Sequence, residues 1–583
     1  MKKRVFAMLL CVVMMLSLLS ACGKNDSKDD KETASTSSES TKNETTTSEP
    51  DSSTSPKEIK EFTAFFGVEG AEVNDDNEIK QIIADKIGAK CKETWLTGQT
   101  QEEAIGMLIA SGEYPDFIDG GDSVSQLIDA GALVPVDEYF DKYPNIKNFW
   151  SDTQWESLRQ PDGHIYTIPQ FNNINVKLMD TQQNGEAFWI QSRVLKWANY
   201  PKIESLDQLF KLLGDYYAAN PTMADGASVI PFEILTYDWY YFCLENPPQF
   251  LDGYPNNGSV LVNEDTYEVM DYNTTDTAVR YFKKLNEEYK KGIIDPEFMT
   301  MNHDQFMEKV SSGRVLCMVE QYWDFRTAED SIKSQGLNDC TYIPLGITID
   351  EGMPEQYFTA NESAALSGGL GITTSCKDIE GAFQFVNDLL SPEITTLRSW
   401  GVEGVDYNVG DDGLYSRTQE MRDNAVNSDY KASHLCTYSY FPNYVGMNLD
   451  GKNAATPDTQ PSEFYEGLTT EVQECLSAYG AKTYVEMLDN NVIDPMVEPW
   501  YPMWSFSNTL TTDTPGGLAW TKMGETKHQY LPQVVIAEDF DTAWSEYMEA
   551  YKACKPENFL AEMQDELYRR VKLVTGKDVK PAK

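Results

Sequence analysis

Histidine, cysteine and carboxylate side chains can carry out catalysis and bind metals, but their spacing in this sequence matches none of the common catalytic motifs. The four histidines, at positions 164, 303, 434 and 528, form no His-x-x-x-His pair, and no two cysteines have Cys-x-x-Cys spacing. There is neither a Gly-x-Ser-x-Gly elbow nor a Walker A loop. The 93 acidic residues make some carboxylate pairs inevitable, but most are expected to be solvated surface groups. We therefore expect no catalytic site, no metal ion and no cofactor.

Cys22 is the residue whose surroundings predict a specific modification. A cationic start (residues 1–4, MKKR) precedes an apolar run over 5–19, and small residues lead into the cysteine, as in a secretory signal peptide. The sequence LSAC at 19–22 resembles the bacterial lipobox, whose cysteine is lipidated and becomes the mature N-terminus. This predicts that 1–21 is removed and that lipid at Cys22 holds the chain on the outer face of a cell membrane. An ordinary signal peptide followed by a chance cysteine is the alternative.

The charge of the chain restricts its partners. The formal net charge is −46, and removal of the basic signal peptide makes it more negative. Such a chain repels nucleic acid and anionic lipid, so we expect no nucleic-acid partner and a membrane attachment that depends on lipid. Residues 22–60 follow the anchor as a Ser-, Thr- and acid-rich stretch with few apolar side chains, which predicts a disordered linker.

The folded part begins near residue 61 with short apolar segments that alternate with amphipathic helices. This alternation up to about residue 130 is typical of a parallel α/β sheet. Beyond 185 the pattern is richer in helix, and Ser205 with Gln208 predicts a helix over 205–219 that starts with a capping box. No second linker is visible, so we expect one multi-lobed body.

Six short motifs, spread over most of 61–575, occur in an order that resembles one protein family. Together they are similar to the extracellular solute-binding proteins of ABC importers, in the large lipoprotein branch associated with oligosaccharides. The motifs are SGEYPD at 111–116, GALVPVD at 131–137, DGHIYTIP at 162–169, GIIDPEF at 292–298, GITTSC at 371–376 and GVEGVDY at 401–407.

This resemblance implies an α/β fold of the type II, two-lobed, periplasmic-binding-protein-like class, with a hinge and a central ligand cleft. It implies lobe 1 over 61–171 plus 345–398, and a helix-rich lobe 2 over 172–344 plus 399–575. A monomer would close over an oligosaccharide and deliver it to the transmembrane permease subunits. Some relatives carry a calcium loop, but no such loop is found in 180–235 and the acidic stretch 406–412 lacks EF-hand spacing, so no calcium is expected.

Trp323 is the leading candidate for a ligand contact. It follows a predicted strand that should end at the cleft, where relatives often place an aromatic ring that stacks on sugar, although a core tryptophan would fit the sequence equally well. Glu320 and Tyr322 lie in the same turn and are further candidates.

Other polar and aromatic residues follow the same reasoning, each with a structural role as the alternative. Amides and carboxylates could bind sugar hydroxyls, and large rings in Pro-broken or turn segments need a reason to be exposed. These candidates are Asn172, Asn173, Asp122, Trp239 with Tyr240 and Tyr241, Glu403, and Trp500 and Trp504 with Tyr501.

Two other functions remain open at the level of sequence. The chain could bind a peptide or another solute, or it could be a surface glycosidase or polysaccharide lyase. The sugar is not identified, and Arg193, Arg326 and Arg398 are available to bind a uronate if the ligand is acidic.

Overall fold

The computed structural model describes residues 59–170, 174–175, 181–357, 368–488 and 499–580. The predicted lipidation site Cys22, the linker and the candidates Asn172 and Asn173 lie outside these residues. Within the described ranges, no helix combines the length and the apolar character needed to cross a bilayer.

The first sheet has the parallel α/β organisation that the sequence predicts. Its strand order is β10-β3-β1-β2; β1 runs parallel to β2 and β3, and β10 joins the edge in the antiparallel direction. Its strands are β1 (Lys60–Glu69), β2 (Ala89–Leu96), β3 (Phe117–Asp119) and β10 (Gly371–Ile372).

The core around this sheet reaches residues far along the chain. Phe117 packs edge-on against Phe441, with ring centroids 5.3 Å apart. The buried Arg398 side chain donates hydrogen bonds to backbone carbonyls, including those of Tyr438 and Phe441. These contacts tie the segment near residue 440 to the first sheet.

The second sheet is antiparallel and belongs to a larger, helix-rich core. Its order is β8-β5-β9, and all six residues of the central strand β5 are buried. The strands here are β5 (Glu186–Gln191), β8 (Cys317–Gln321) and β9 (Tyr342–Leu345). The two sheets and their separate hydrophobic cores correspond to two lobes.

Short strand pairs complete the sheet structure. The pair of most interest joins β4 and β13 in parallel, with Val445 opposite Ile174 and Gly446 opposite Asn175. The remaining strands are β4 (Ile174–Asn175), β6 (Leu261–Asn263), β7 (Glu268–Met270), β11 (Asn408–Val409), β12 (Tyr415–Ser416) and β13 (Val445–Gly446).

Helices cover both sheets, and their starts follow local capping chemistry. Thr100 and Glu103 form a capping box, which starts the helix at Gln101. The predicted helix after Ser205 also forms, but the predicted capping box does not: Ser205 makes no side-chain cap, and Gln208 Oε1 instead accepts the backbone N–H of Glu204 at 2.8 Å.

The α-helices of the first half of the chain lie between residues 78 and 334. They are α1 (Glu78–Ile87), α2 (Gln101–Ser111), α3 (Val124–Asp129), α4 (Pro144–Lys147), α5 (Asp152–Ser157), α6 (Ser192–Trp197), α7 (Leu206–Ala219), α8 (Phe242–Glu245), α9 (Pro247–Leu251), α10 (Asp276–Lys290), α11 (His303–Ser311) and α12 (Tyr322–Ser334).

The second half ends in three long helices that pack on the second core. In order, its α-helices are α13 (Ile379–Leu389), α14 (Pro392–Ser399), α15 (Gln419–Val426), α16 (Ser428–His434), α17 (Pro461–Gly467), α18 (Thr470–Ala478), α19 (Tyr484–Met487), α20 (Trp504–Ser507), α21 (Pro515–Ile536), α22 (Phe540–Ala553) and α23 (Pro556–Thr575).

Single 3₁₀ turns connect several of these elements. They are Gly121–Ser123, Asp137–Tyr139, Asp238–Tyr241, Tyr272–Thr274, Asn338–Cys340 and Pro457–Thr459.

Candidate functional site

Trp323 lies at the point where strand β8 of the second sheet ends and helix α12 begins. Strand β8 is buried up to Glu320, and helix α12 begins at Tyr322, so Trp323 projects from the first turn of the helix. Its side chain is 38% exposed, and its indole N–H donates to Gln321 Oε1 at 2.7 Å. The exposed ring is therefore available as a contact surface.

The Trp323 ring is the outer member of a column of four rings. It lies parallel to Trp239, with centroids 5.9 Å apart and planes 10° from each other. Trp239 stacks on Tyr240 at 3.9 Å, and Tyr240 stacks on His303 at 4.6 Å. The turn that carries Trp239 starts at Asp238, whose φ of 48° is uncommon for a residue other than glycine and is typical of functional sites.

The inner end of the column touches the first lobe through His303. His303 Nδ1 lies 2.8 Å from Glu69 Oε2, at the end of β1, and Nε2 lies 2.8 Å from Asp324 Oδ1. Burial alone would lower the pKa of His303, but the hydrogen bonds to Asp324 and Glu69 outweigh burial and raise the pKa to about 10. The imidazole is therefore charged at neutral pH and links the two lobes.

The same histidine belongs to the group of side chains best placed to hold a metal ion. Potential ligand atoms of Glu69, His303 and Asp304 lie within 4.8 Å of one another. The hydrogen bonds to Glu69 and Asp324 already account for both imidazole nitrogens. We therefore describe the group as an ion pair.

The facing edge of the first lobe is polar. Asp119 ends β3, where its Oδ1 accepts the N–H of Gly121 at 2.8 Å and its Oδ2 accepts a hydrogen bond from the Gln170 amide. Burial raises the pKa of Asp119 to about 6, although these hydrogen bonds oppose the shift. Loops at the carboxyl ends of parallel strands are where open α/β sheets hold ligands.

Gln101 fixes the glycine turn that follows Asp119. Its Oε1 accepts the N–H of Asp122 at 3.0 Å, and its Nε2 donates to the carbonyl of Gly67 at 2.8 Å. Gly121 has a φ of 50°, and a Cβ there would lie 2.2 Å from the Gln101 amide, so only glycine fits.

Asp122 reaches from this turn to the second lobe. Its Oδ1 accepts a hydrogen bond from Asn508 Nδ2 at 2.9 Å. The side chain is solvent-accessible, yet the protein around it and the carboxylates of Asp119 and Asp238 raise its pKa to about 6. Trp504, half-buried, begins helix α20 one turn before Asn508 and therefore shares its helix face.

Three of the predicted contacts lie inside the second lobe. Glu320 is fully buried, with Cys243 Sγ 3.0 Å from its Oε2. Tyr322 is buried and donates its hydroxyl to Glu329 at 2.9 Å. Trp500 is 1% exposed and packs edge-on against Tyr267. A bound ligand could not touch these side chains without a rearrangement, because the core surrounds them.

The remaining candidates are divided between the interior and a distant turn. Tyr241 is buried and stacks on His528 at 3.7 Å, and Tyr501 is also buried. Glu403 is exposed, but it lies in a turn that pairs with Tyr407, apart from the ring column.

Residues that sequence reasoning missed include Glu69, Gln101, Asp119, Gln170 and His303. Of these, only Asp119 carried a usable signal, because it stands directly at the end of a predicted strand and before a Gly-Gly pair. The role of Glu69 and His303 depends on a contact between positions 234 residues apart.

A separate surface cavity of about 550 Å³ lies within the second lobe. Its walls come from one lobe only, so it does not coincide with the interlobe contacts. It is lined by Arg193, Lys196, Trp197, Gly336, Asn338, Asp339 and Glu471.

Solved structures with the same fold are two-lobed solute-binding proteins. One is Streptococcus pneumoniae FusA, an ABC-transporter substrate-binding protein, in complex with fructo-nystose (TM-score 0.62, 17% identity, covering 88% of this chain and 99% of that chain). Another is the alginate-binding protein AlgQ2 (TM-score 0.59, 17% identity, covering 88% and 98%). The predicted type II, two-lobed α/β fold is thereby confirmed.

The chain belongs to the family of bacterial extracellular solute-binding proteins, whose family model matches residues 57–402. Members of this family bind solutes and are not enzymes, so the expectation that this chain is not an enzyme is confirmed.

Two curated relatives show how distant the sequence similarity is. FusA of Streptococcus pneumoniae, a fructooligosaccharide ABC transporter substrate-binding protein, is 22% identical over 51% of this chain and 55% of its own length. Lipoprotein LipO of Bacillus subtilis is 20% identical over 57% of this chain and 64% of its own length. The chain thus spans less than two thirds of the length of either relative.

Proposed function

We propose that this chain is the lipid-anchored, extracellular solute-binding subunit of an ABC importer and that it captures an oligosaccharide between its two lobes. The single observation that carries the proposal is the parallel Trp239–Trp323 pair beside the interlobe contact of His303. Family membership supports the binding role, and FusA supports the oligosaccharide class by what it binds.

The two faces of the proposed cleft have complementary chemistry for a sugar. The apolar face of a pyranose or furanose ring can stack on Trp323 and Trp239, where burial of both surfaces stabilises the complex. Hydroxyl groups can donate to Asp122, whose carboxylate is already oriented by Asn508. Asp122 lies in the 3₁₀ turn over Gly121–Ser123, and its short side chain loses little conformational entropy when a ligand binds.

The lobes are joined in a way that suits hinge closure. The pairing of β4 with β13 involves two short segments at the passage from the first core to the second, and short crossing strands can absorb a rotation. Polar contacts between the lobes include Glu69 to His303, Asp122 to Asn508, and Asp330 to Lys431. A ligand that binds more tightly when the lobes are closed shifts the population toward the closed state.

The lobe boundaries remain part of the proposal. The sequence resemblance implies lobe 1 over 61–171 plus 345–398, with the rest of the body in lobe 2. The packing of Phe441 against Phe117 supports an extension of lobe 1 to about residue 441.

The proposed anchor is a lipid on Cys22, with residues 23–60 as a spacer to the folded body. Without an anchor, a binding protein outside a single membrane would diffuse away from its permease. Two acyl chains give stable attachment, whereas one chain binds only marginally. We propose that the anchored protein acts as a monomer and passes its ligand to the transmembrane permease subunits.

Calorimetric titration of an oligosaccharide panel, including kestose and nystose, tests this proposal. We expect Trp323→Ala to weaken binding of any ligand found by about 30-fold, corresponding to about 2 kcal/mol of lost stacking. Trp197→Ala is the matched control, because Trp197 is 47% exposed but lines the separate cavity. Equal losses in both variants, or no loss in Trp323→Ala, would contradict the assigned site.

The alternative functions give different outcomes in the same assay. Thermal stabilisation by a peptide and by no glycan would indicate a peptide-binding protein. Release of shorter sugars with turnover would indicate a glycosidase or a lyase.

A further inference from the structure

Arg326, a cation one helical turn after the exposed Trp323, already has an acidic partner. Arg326 lies three residues after Trp323 on helix α12, so the two side chains share one helix face. Both side chains are exposed to solvent, yet Arg326 Nη1 lies 2.5 Å from Asp458 Oδ2. A guanidinium held in this way keeps its charge, but the carboxylate beside it offsets that charge and weakens the attraction for an anionic ligand.

Other cations around helix α12 are also paired. His303 lies between Glu69 and Asp324, and Lys431 Nζ lies 2.9 Å from Asp330 Oδ2. The other two arginines that the sequence offered for an acidic sugar are placed elsewhere: Arg398 is buried against backbone carbonyls, and Arg193 lines the separate cavity.

The carboxylates on the polar face of the first lobe have no cation as a hydrogen-bond partner among the described residues. Asp122 is exposed, and its neighbours Asp119 and Asp238 oppose its ionisation. Asp238 is in turn close enough to Glu69 for the two carboxylates to repel each other. The local field between the lobes is therefore negative, and a ligand carboxylate would meet repulsion as well as the cost of desolvation.

The internal segments outside the described residues have few basic residues in their sequences. Residues 171–173, 176–180, 358–367 and 489–498 together contain one lysine and no arginine. They contain five acidic residues, so their balance is acidic as well.

We propose that the ligand is an uncharged oligosaccharide and that Asp458 helps to set this specificity by neutralising Arg326. This inference rests on the proposed function, because it names the chemical class of solute for the same site. A uronate is favoured by an unpaired cation, since charge-assisted hydrogen bonds from Arg or Lys are the strongest contacts that a carboxylate can make. Neutral hydroxyls need only the acceptors and donors that the polar face supplies.

Titration of the wild-type chain with two sets of oligosaccharides of equal length tests the class. The neutral set contains fructo-, malto-, xylo- and galacto-oligosaccharides, and the acidic set contains oligogalacturonates and oligoalginates. We expect at least one neutral ligand to bind at least tenfold more tightly than every uronate at pH 7 and about 150 mM salt, where long-range repulsion is screened.

Asp458→Asn tests the assigned role of Asp458, because it frees Arg326 beside the ring pair. We expect this variant to bind oligogalacturonate at least tenfold more tightly than wild type. Asp350→Asn is the matched control, because it frees Arg280 from a comparable exposed pair in which the charged atoms are 2.6 Å apart. We expect no gain in affinity for oligogalacturonate in this variant. Arg326→Gln is the second variant, and it should leave the weak wild-type binding of uronates unchanged.

The outcomes separate the two proposals. A uronate that binds wild type more tightly than every neutral sugar overturns the inference and leaves the proposed function standing. A loss of uronate binding in Arg326→Gln, or no gain in a folded Asp458→Asn, overturns the role of Asp458. If no glycan of either set binds, the proposed function itself fails.

Discussion

The two faces that meet between the lobes differ in both chemistry and construction. On the second lobe, stacked rings occupy the end of an antiparallel sheet, and Trp323 presents its ring to solvent. On the first lobe, Asp119 and Asp122 follow a parallel strand in a glycine turn that Gln101 fixes. Aromatic rings supply contact area that depends little on ligand orientation, whereas hydrogen bonds to the carboxylates and amides are directional and fix the positions of the ligand hydroxyls. The difference suggests that affinity depends mainly on one lobe and specificity mainly on the other.

The largest expected effect concerns the polar face and its dependence on pH. Burial raises the pKa of Asp119 to about 6 from an ordinary value of 3.8, so the folded state takes up a proton more readily than the unfolded state. The contribution of Asp119 to the free energy of unfolding is therefore greatest below about pH 4 and is lost as pH rises to about 6, by up to about 3 kcal/mol. Asp119→Asn should remove this contribution and leave those of other buried carboxyls, such as Glu93, in place.

Urea unfolding between pH 4 and pH 7 measures the effect of Asp119. Asp411→Asn, in an exposed turn, serves as the control and should retain the wild-type profile. If Asp119→Asn keeps the wild-type dependence on pH, the buried carboxylate is not responsible for it.

A smaller effect is expected from the aromatic face. Trp239→Ala should weaken ligand binding by about tenfold, because it removes the ring that supports Trp323. Since the two rings act together, the double variant with Trp323→Ala should lose less affinity than the sum of the single losses, as calorimetry can show. Strict additivity would mean that the rings bind independently.

The smallest effect is expected at the junction of the two faces. His303→Gln removes the charged link to Glu69, so we expect about a fivefold loss of ligand affinity and a larger radius of gyration without ligand. His434→Gln is the matched control, because His434 lies in the same way between Glu78 and Asp406 but links elements of one lobe. X-ray scattering should then distinguish the two variants. Equal radii of gyration would mean that His303 does not stabilise the contact between the lobes.

Local sequence patterns predicted several elements of the fold correctly. The alternation of strands and helices near the start of the folded body predicted the parallel sheet, and the helix predicted after Ser205 forms. These predictions succeed because hydrophobic periodicity and capping depend on residues within one turn or one strand. The capping box at Ser205 failed, because Ser205 is buried and Gln208 bonds to Glu204 instead.

Burial of individual side chains was harder to predict than secondary structure. Trp323 and Trp500 have similar neighbours in sequence, with aromatic residues next to both, yet one is exposed and the other is in the core. Glu320 and Trp323 lie only three residues apart, but the strand directs Glu320 inward and the helix start directs Trp323 outward. Which side of an element meets solvent depends on what packs against it.

The sequence by itself determined the family resemblance, the class of fold, the acidic character of the chain and the prediction of a lipid anchor at Cys22, since each depends on composition or local motifs. Tertiary structure alone decided that Trp239 and Trp323 form one pair, that His303 meets Glu69, and that Asp458 neutralises Arg326. These partners are 84, 234 and 132 residues apart in the chain, and only folding brings such distant side chains within a few ångströms.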